Sequence, residues 1–127
     1  MSPETLRYTA THEWAGWQDG LVVVGITKFA VEQLTDIVYI DLPTPGRRVT
    51  AGEPFGEIES VKAVSDLYAP ISGEVVDVNR SLVDDPTRIS ADPYGAGWMI
   101  KIRPDPGETL DRLLTLEQYQ RQIAQAG

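Results

Sequence analysis

At 127 residues, with 42% hydrophobic and 24% charged residues, the chain has the length and composition of one globular domain. It contains no cysteine and one histidine, which excludes disulfides, thiolate catalysis and metal sites built from cysteines or several histidines. The net charge of −8 disfavours nucleic acid and anionic membrane as partners, and no apolar run approaches the ~20 residues that span a bilayer. The chain starts without signal-peptide features. We therefore expect a bacterial cytoplasmic protein, or a mitochondrial matrix protein if this is a mature eukaryotic form.

The first third of the chain predicts a β-ribbon, a short helix and a strand. Asp19-Gly20 is a strong hairpin-turn signal between two apolar runs in residues 8–25. Thr27 is the predicted N-cap of a helix that ends at Leu34, and residues 36–42 follow as a strand. The helix residues expected to face inward are Phe29, Ala30 and Leu34.

Residues 57–73 predict a hairpin with Lys62 between its strands. Apolar and polar residues alternate on both sides of the lysine, which is typical of a half-buried hairpin. The apolar residues of this pattern are Ile58, Val61, Val64 and Leu67. Residues 53–85 carry eight acids against two bases, and this acidic region favours partners with basic docking surfaces. Acids that merely keep a small domain soluble remain an alternative.

A weak internal repeat flanks the lysine hairpin. The spacing of Pro43, Gly46 and Val49 returns at Pro70, Gly73 and Val76. A doubled strand–turn unit of this kind predicts two sheets packed face to face, with the lysine hairpin at one end.

The last third predicts a helical turn, a strand and a closing helix. Asp85-Pro86 is typical of a helix start, residues 98–102 predict a strand, and residues 115–118 match a capping box. The closing-helix residues expected to pack inward are Leu116, Tyr119 and Ile123. We expect one mainly β domain over residues 1–127, with a core at about 8–103 and a helical tail at about 109–126.

The sequence offers little for catalysis by the chain itself. His12 and Glu13 are adjacent, but neighbouring strand residues point to opposite faces, and no nucleophile motif or phosphate-binding loop is present. A Schiff-base role for Lys62 would need an apolar or cationic surround, whereas Glu59 and Asp66 favour the charged amine. A solvated surface lysine and a lysine displayed for acylation by another enzyme both remain open.

Residues 57–75, EIESVKAVSDLYAPISGEV, resemble the lipoyl-attachment segment of the H-protein family of the glycine cleavage system. Further segments resemble the family in the same order, so that the resemblance extends from about Tyr8 to Ile123. These segments are residues 8–14, 24–27, 42–43 and 92–98 and the tail near Tyr119. The resemblance implies a barrel-sandwich hybrid of the lipoyl- and biotinyl-carrier type, with short helices and a C-terminal helix. It also implies lipoic acid in amide linkage on Lys62 and no bound metal.

The resemblance implies a non-catalytic carrier that serves three enzymes. The lipoyl group would accept an aminomethyl group from the pyridoxal-phosphate-dependent glycine decarboxylase. The aminomethyltransferase would pass the one-carbon unit to tetrahydrofolate, and dihydrolipoamide dehydrogenase would reoxidise the dithiol. Lipoylating enzymes are further implied partners, and a monomer is expected.

Residue roles follow from the resemblance position by position. Glu59 and Gly73 match positions that lipoylating enzymes of the family read. Glu13 and Asp66 match acidic residues of the cleft where the loaded, cationic arm rests, and Thr11 and His12 are weaker candidates for that cleft. For Glu13, a solvated strand carboxylate is the alternative, and Trp14 and Trp98 are expected to pack rather than bind.

The chain departs from the family pattern in the short helix. Residues 28–31 (KFAV) replace an acidic residue and Ala-Gln, and Gln33 stands where some members place a histidine near the arm. An H-like lipoyl carrier that serves lipoate transfer or another lipoyl-dependent pathway is therefore the main alternative. Biotin carriage is disfavoured because Val61 and Ala63 replace the methionines that flank a biotinyl lysine. A binding module without lipoate and a hydrolase or transferase with a deep polar pocket are further alternatives.

Overall fold

The computed structural model describes residues 1–126, which form two antiparallel sheets with short helices. The strands are β1 (Arg7–Tyr8), β2 (Glu13–Gln18), β3 (Leu21–Ile26), β4 (Ile37–Asp41), β5 (Arg48–Val49), β6 (Pro54–Ser60), β7 (Val64–Tyr68), β8 (Gly73–Val78) and β9 (Ile100–Pro104). The helices are α1 (Lys28–Leu34), α2 (Ser81–Asp84), α3 (Thr87–Ala91) and α4 (Leu116–Ala126), and a 3₁₀ turn covers Pro3–Thr5. None of the helices in this part of the chain is long and apolar enough to cross a membrane.

The two sheets pack over a shared apolar core. The larger sheet has the strand order β1-β2-β3-β9-β8-β5, and the smaller one has the order β4-β6-β7. The core contains Val24 and Ile102 from the larger sheet and Ile40, Ile58 and Leu67 from the smaller, each at most 2% exposed. This arrangement confirms the expected mainly β, barrel-sandwich fold with short helices and a C-terminal helix.

The β2–β3 hairpin confirms the ribbon predicted from residues 8–25. Asp19 and Gly20 have φ values of 53° and 79°, the left-handed geometry that a two-residue hairpin turn requires. The register follows directly, with Gln18 opposite Leu21 and each residue back to Glu13 paired in turn. Glu13 therefore starts β2 at the end of the hairpin away from the turn.

The internal repeat meets edge to edge rather than face to face. Its first half pairs with its second inside the larger sheet: Val49 lies opposite Gly73, and the Gly46 N–H donates to the Val75 carbonyl at 2.7 Å. Two sheets do pack face to face, as expected, but the two halves of the repeat pair with each other within one of them.

Helix α1 begins as predicted, and two of its predicted inward residues, Ala30 and Leu34, are half-buried against the core. The Thr27 hydroxyl accepts a hydrogen bond from Ala30 N at 3.2 Å, which confirms the N-cap. Val31, which was absent from the predicted inward set, is the buried residue of the helix. Phe29 instead lies against the His12 ring at a centroid distance of 5.0 Å. Helix α2 was not predicted.

The closing helix confirms its predicted cap but is shorter than the predicted tail. Thr115 N donates to Gln118 Oε1 and Gln118 N donates to Thr115 Oγ1, at 2.9 and 3.2 Å. Tyr119 is 3% exposed and stacks on Tyr8 at 4.8 Å. The helix begins at Leu116, so the first residues of the expected 109–126 tail are turns.

Candidate functional site

Lys62 lies at the exposed tip of the β6–β7 hairpin, in a turn that Ser60 holds closed. Ser60 N donates to the Ala63 carbonyl at 2.8 Å, and the Ser60 hydroxyl accepts from Lys62 N and Ala63 N at 3.3 and 3.2 Å. Ser60 is itself 4% exposed, so the turn is anchored from inside. Ser60 was not singled out from the sequence, although a serine two residues before the turn centre is a known turn-forming signal.

The predicted apolar face of this hairpin is buried only near the base of the hairpin. Ile58 and Leu67 are buried, as expected, but Val61 is 65% exposed and Val64 is 57% exposed. The half-buried pattern is therefore wrong at the tip, which extends beyond the core. Lys62 thus lies among exposed residues, between Val61 and Ala63, with Val64 following.

The acids near Lys62 leave its ammonium without an ion partner. Within residues 1–126, Lys62 forms no salt bridge. Glu59 is paired across the sheet with Tyr39 and Val64, while Asp66 is paired with Glu57. The amine at the tip is therefore accessible to a reagent or enzyme from solution.

A pocket of about 140 Å³ lies beside β7 and brings together all four residues predicted for the arm cleft. Thr11, His12, Glu13 and Asp66 line it, although Glu13 belongs to the larger sheet, Asp66 to the smaller one, and Thr11 and His12 to the turn before β2. Its other lining residues are Ile26, Ala30, Gln33, Leu34, Ile58, Ser65 and Leu67. Asp66 lies four residues after Lys62, roughly 13 Å along a strand at about 3.3 Å per residue. A cavity of ~150 Å³ accommodates a molecule the size of benzene, so this pocket suits the end of a flexible arm.

Glu13 is a buried carboxylate held by three donors. The hydroxyls of Thr9 and Thr11 both donate to its Oε1, and Tyr68 N donates to Oε2 at 3.2 Å. Burial raises the pKa of Glu13, and the hydrogen bonds from Thr11, Thr9 and Tyr68 oppose that rise. Glu13 is 1% exposed, so its interpretation as a solvated strand carboxylate is wrong.

His12 lies in the same pocket because its backbone is left-handed. With φ at 80°, it precedes β2 and turns its side chain to the side on which Glu13 also lies, so the expectation of opposite faces is wrong. Its Nδ1 lies 2.8 Å from the Tyr119 hydroxyl, which is 2.7 Å from Thr27 Oγ1. Burial lowers the pKa of His12 and raises the pKa of Tyr119 to about 12, which favours a neutral imidazole and a neutral phenol at pH 7.

Gly73 and Glu59 lie in different sheets. Gly73 is buried in β8, where a Cβ atom would lie 2.2 Å from the Arg103 carbonyl oxygen of β9. The close approach of the two strands therefore requires glycine at this position. Glu59 is half-buried on β6, three residues before Lys62. The structure does not bring these two residues together, and Trp14, at 0% exposure, is a packing residue as expected.

A larger pocket of about 560 Å³ lies elsewhere and does not contain Lys62, Glu13 or Asp66. It shares Thr11 with the smaller pocket, so the two pockets are neighbours. We place the candidate site at the smaller pocket because buried and titratable groups converge there. Within residues 1–126, no group of three His, Asp or Glu residues is arranged to hold a metal ion.

Comparison with known proteins gives consistent similarities over nearly the whole chain. A family model described as "Glycine cleavage H-protein" matches residues 6–126. The chain is 52% identical over 117 residues to the glycine cleavage system H protein of Synechococcus sp. (strain JA-3-3Ab), with 92% of this chain and 91% of that protein covered. It is 55% identical to the protein of the same name from Thermobifida fusca, with the same coverage. The crystal structure of a glycine cleavage system H protein from Mycobacterium marinum superposes with a TM-score of 0.89 at 47% identity, and covers 97% of this chain and 99% of that one. The chain therefore belongs to the glycine cleavage H-protein family.

Proposed function

We propose that the protein is the lipoyl carrier of a glycine cleavage system, with lipoic acid bound in amide linkage to Lys62. The observation that carries the proposal is the position of Lys62. It is an exposed amine on a turn held by Ser60, and the strand that follows this turn, β7, lines a pocket with a buried carboxylate. An acylating enzyme needs access to the amine, and the anchored turn supplies it.

The residues around Lys62 fit a lipoyl arm in two respects. The amine has no ion partner among residues 1–126 that acylation would have to displace. The pocket beside β7 is lined by the buried apolar residues Ile58 and Leu67 and by the buried carboxylate of Glu13. It therefore suits a group with an apolar body and a cationic end.

When bound, the lipoyl group supplies a disulfide that takes up and releases the aminomethyl cargo. The protein's own residues then shelter that cargo. Glu13 and Asp66 attract its protonated amine, since charge-assisted hydrogen bonds to carboxylates are the stronger kind. Thr11 and His12 complete the wall, and a neutral His12 adds no positive charge that would repel the amine.

The proposed partners follow from this carrier role. They are the pyridoxal-phosphate-dependent glycine decarboxylase, the tetrahydrofolate-dependent aminomethyltransferase, dihydrolipoamide dehydrogenase and the enzymes that lipoylate Lys62. We assign Glu59 and Gly73 to recognition by the lipoylating enzymes, Glu59 through its position near the turn. The chain itself acts as a monomeric carrier and catalyses no step.

Lipoylation is tested by intact-mass analysis of protein from lipoate-replete cells. One lipoyl amide is expected on the wild-type chain and on Lys28→Arg, a matched control in α1, and none on Lys62→Arg. The Lys62→Arg variant should fold normally and abolish glycine decarboxylation in the reconstituted system. An unmodified Lys62 in a competent host, or full carrier activity of Lys62→Arg, would overturn the proposal.

A second candidate function is lipoate transfer or another lipoyl-dependent pathway. Gln33 favours it, because this residue lines the pocket beside β7 at a position where some members of the family carry a histidine. Fully lipoylated protein that fails to support exchange between the glycine carboxyl group and bicarbonate would favour this function. Normal exchange would exclude it as the main role.

A further inference from the structure

The Glu13 carboxylate has almost no unused acceptor capacity. A carboxylate offers about four lone-pair sites, two on each oxygen. The Thr9 and Thr11 hydroxyls occupy the two sites on Oε1, and Tyr68 N occupies one on Oε2. One acceptor site is left, and it lies on Oε2.

Thr9 contacts Glu13 twice and lies outside the arm pocket. Its hydroxyl donates to Oε1 and accepts from the Glu13 backbone N–H at 3.0 Å, so one side chain holds both ends of the glutamate. Thr11 lines both the 140 Å³ pocket and the 560 Å³ pocket, whereas Thr9 lines only the larger one. Thr9 therefore acts on the smaller pocket through the groups that it holds there, which are Glu13 and, at 3.1 Å between the hydroxyl oxygens, Thr11.

The hydroxyl hydrogens suit an ionised carboxylate. Each threonine has one hydroxyl hydrogen to donate, and both hydroxyl oxygens lie within hydrogen-bond distance of Oε1 and 3.1 Å from each other. A proton on Oε1 would require one hydroxyl to accept instead of donate. The two hydroxyls therefore favour the charged form and oppose the rise in the pKa of Glu13 that burial causes.

No permanent cation neutralises Glu13. Within residues 1–126 it forms no salt bridge. Several titratable groups line the two pockets or lie close enough to Glu13 to interact with it. They are His12, Asp66, Tyr8, Tyr68, Tyr119 and Arg112. The neutral donors on Glu13 thus take the place of a counter-ion until a cation enters the pocket.

From these contacts we propose that Thr9 is a positioning residue for the carrier's cargo. With Thr11 it saturates Oε1, keeps the buried carboxylate charged and leaves the open site on Oε2 for the cargo's ammonium. This inference rests on the proposed function for the identity of the cargo. The effect of Thr9 on Glu13, in contrast, is expected in the protein without cargo as well.

The test uses the full-length lipoylated protein and the variants Thr9→Val, Thr9→Ser and Thr44→Val. Thr44 is an exposed threonine whose hydroxyl has no hydrogen-bond partner among residues 1–126, so T44V is the matched control. NMR titration of the Glu13 side-chain carboxyl carbon, without cargo, is the first measurement. T9V should raise the titration midpoint by about one pH unit, the tenfold change expected from one hydrogen bond to a charged group. T9S and T44V should titrate as the wild type does.

Cargo retention is the second measurement. Water releases the aminomethyl cargo as formaldehyde and ammonium and leaves a free thiol, so release is followed as formaldehyde. T9V should lose cargo roughly tenfold faster at pH 7, with T9S restored to within about twofold.

An unchanged Glu13 midpoint in T9V, or a shifted midpoint with normal cargo loss, would overturn the positioning role. If T9V does not fold, Thr9→Cys takes its place, because cysteine keeps a weaker donor at this position. The Glu13 midpoint of that variant should shift by about half as much, and a wild-type midpoint would overturn the role equally. Failure of the proposed function would show instead as an unlipoylated Lys62 in the wild type, while the NMR titration would still decide the role of Thr9.

Discussion

Gly73→Ala offers the sharpest test of how the larger sheet supports the carrier. The added methyl group would meet the Arg103 carbonyl oxygen at 2.2 Å and Ile102 Cγ2 at 2.8 Å. Carbon–oxygen contacts in sheets are ~3.3 Å or longer, so β9 must move by about 1 Å. That movement disturbs the pairing of Gly73 with Pro104 and of Glu74 with Arg103.

We expect a loss of about 2–3 kcal/mol in the free energy of unfolding, the upper part of the range for overpacked interiors. At ~2.1 cal/mol/K of unfolding entropy per residue, this loss lowers Tm by roughly 8–11 °C for a chain of this length. Gly52→Ala is the matched control because no atom lies within 4 Å of the position that its methyl group would take, and its φ is 84°. Its loss should be about 1 kcal/mol, from backbone strain alone.

Thermal unfolding followed by circular dichroism measures both variants, and lipoylation of each is then measured at 20 °C, where both remain folded. A Tm for Gly73→Ala equal to that of Gly52→Ala would refute the clash argument. If folded Gly73→Ala is lipoylated at the wild-type rate, the glycine serves the sheet and is not read by the lipoylating enzyme. A rate reduced well below that of Gly52→Ala would support the recognition role as well.

Two further predictions concern charge. Asp41, Glu57 and Asp66 lie in direct cross-strand register on the smaller sheet, and like charges placed opposite one another destabilise a sheet. Glu57→Gln should therefore raise the unfolding free energy by about 0.5 kcal/mol in urea titrations at low salt and by less at 1 M salt; a destabilised variant would contradict this. Because the pKa of Glu13 is raised, the folded state binds more protons than the unfolded state between pH 4.5 and the raised pKa. The contribution of Glu13 to stability therefore falls as pH rises through this range. In urea unfolding between pH 4.5 and 8, the unfolding free energy of Glu13→Gln should rise relative to that of the wild type as pH increases. A free-energy difference that stays constant, or that changes in the other direction, would exclude a raised pKa.

Local backbone chemistry made several elements predictable from the sequence. The Asp19-Gly20 turn and the caps at Thr27 and Thr115 depend on residues within four positions of each other, so local order in the sequence is sufficient. The alternation around Lys62 was equally visible but misled at Val61 and Val64. Alternation indicates which side chains share a face, but not where the opposing sheet ends.

The residues of the candidate site that the family resemblance supplied could be predicted, whereas those placed by tertiary contacts could not. Lys62 was identified from the hairpin pattern and its role from the resemblance, which also supplied Glu13 and Asp66, and the structure gathers these two acids in one pocket. Thr9 was missed because its contact with Glu13 depends on a turn closed by the left-handed backbone of His12. No periodicity in the sequence reports such a turn.

The position of Glu13 explains how one small domain can display an amine and also shelter its cargo. Glu13 starts β2 in the larger sheet, yet it accepts a hydrogen bond from Tyr68 at the end of β7 in the smaller one. Since β7 is an edge strand, its outward N–H groups need partners other than a strand, and the carboxylate supplies one. The same strand begins two residues after Lys62, lines the pocket with Ser65, Asp66 and Leu67, and ends at Tyr68, which donates to Glu13. The bond to Glu13 fixes the end of β7 to the larger sheet and keeps the pocket in place while the tip stays exposed. A change in the charge of Glu13 would therefore act on the strand that directly follows the lysine turn.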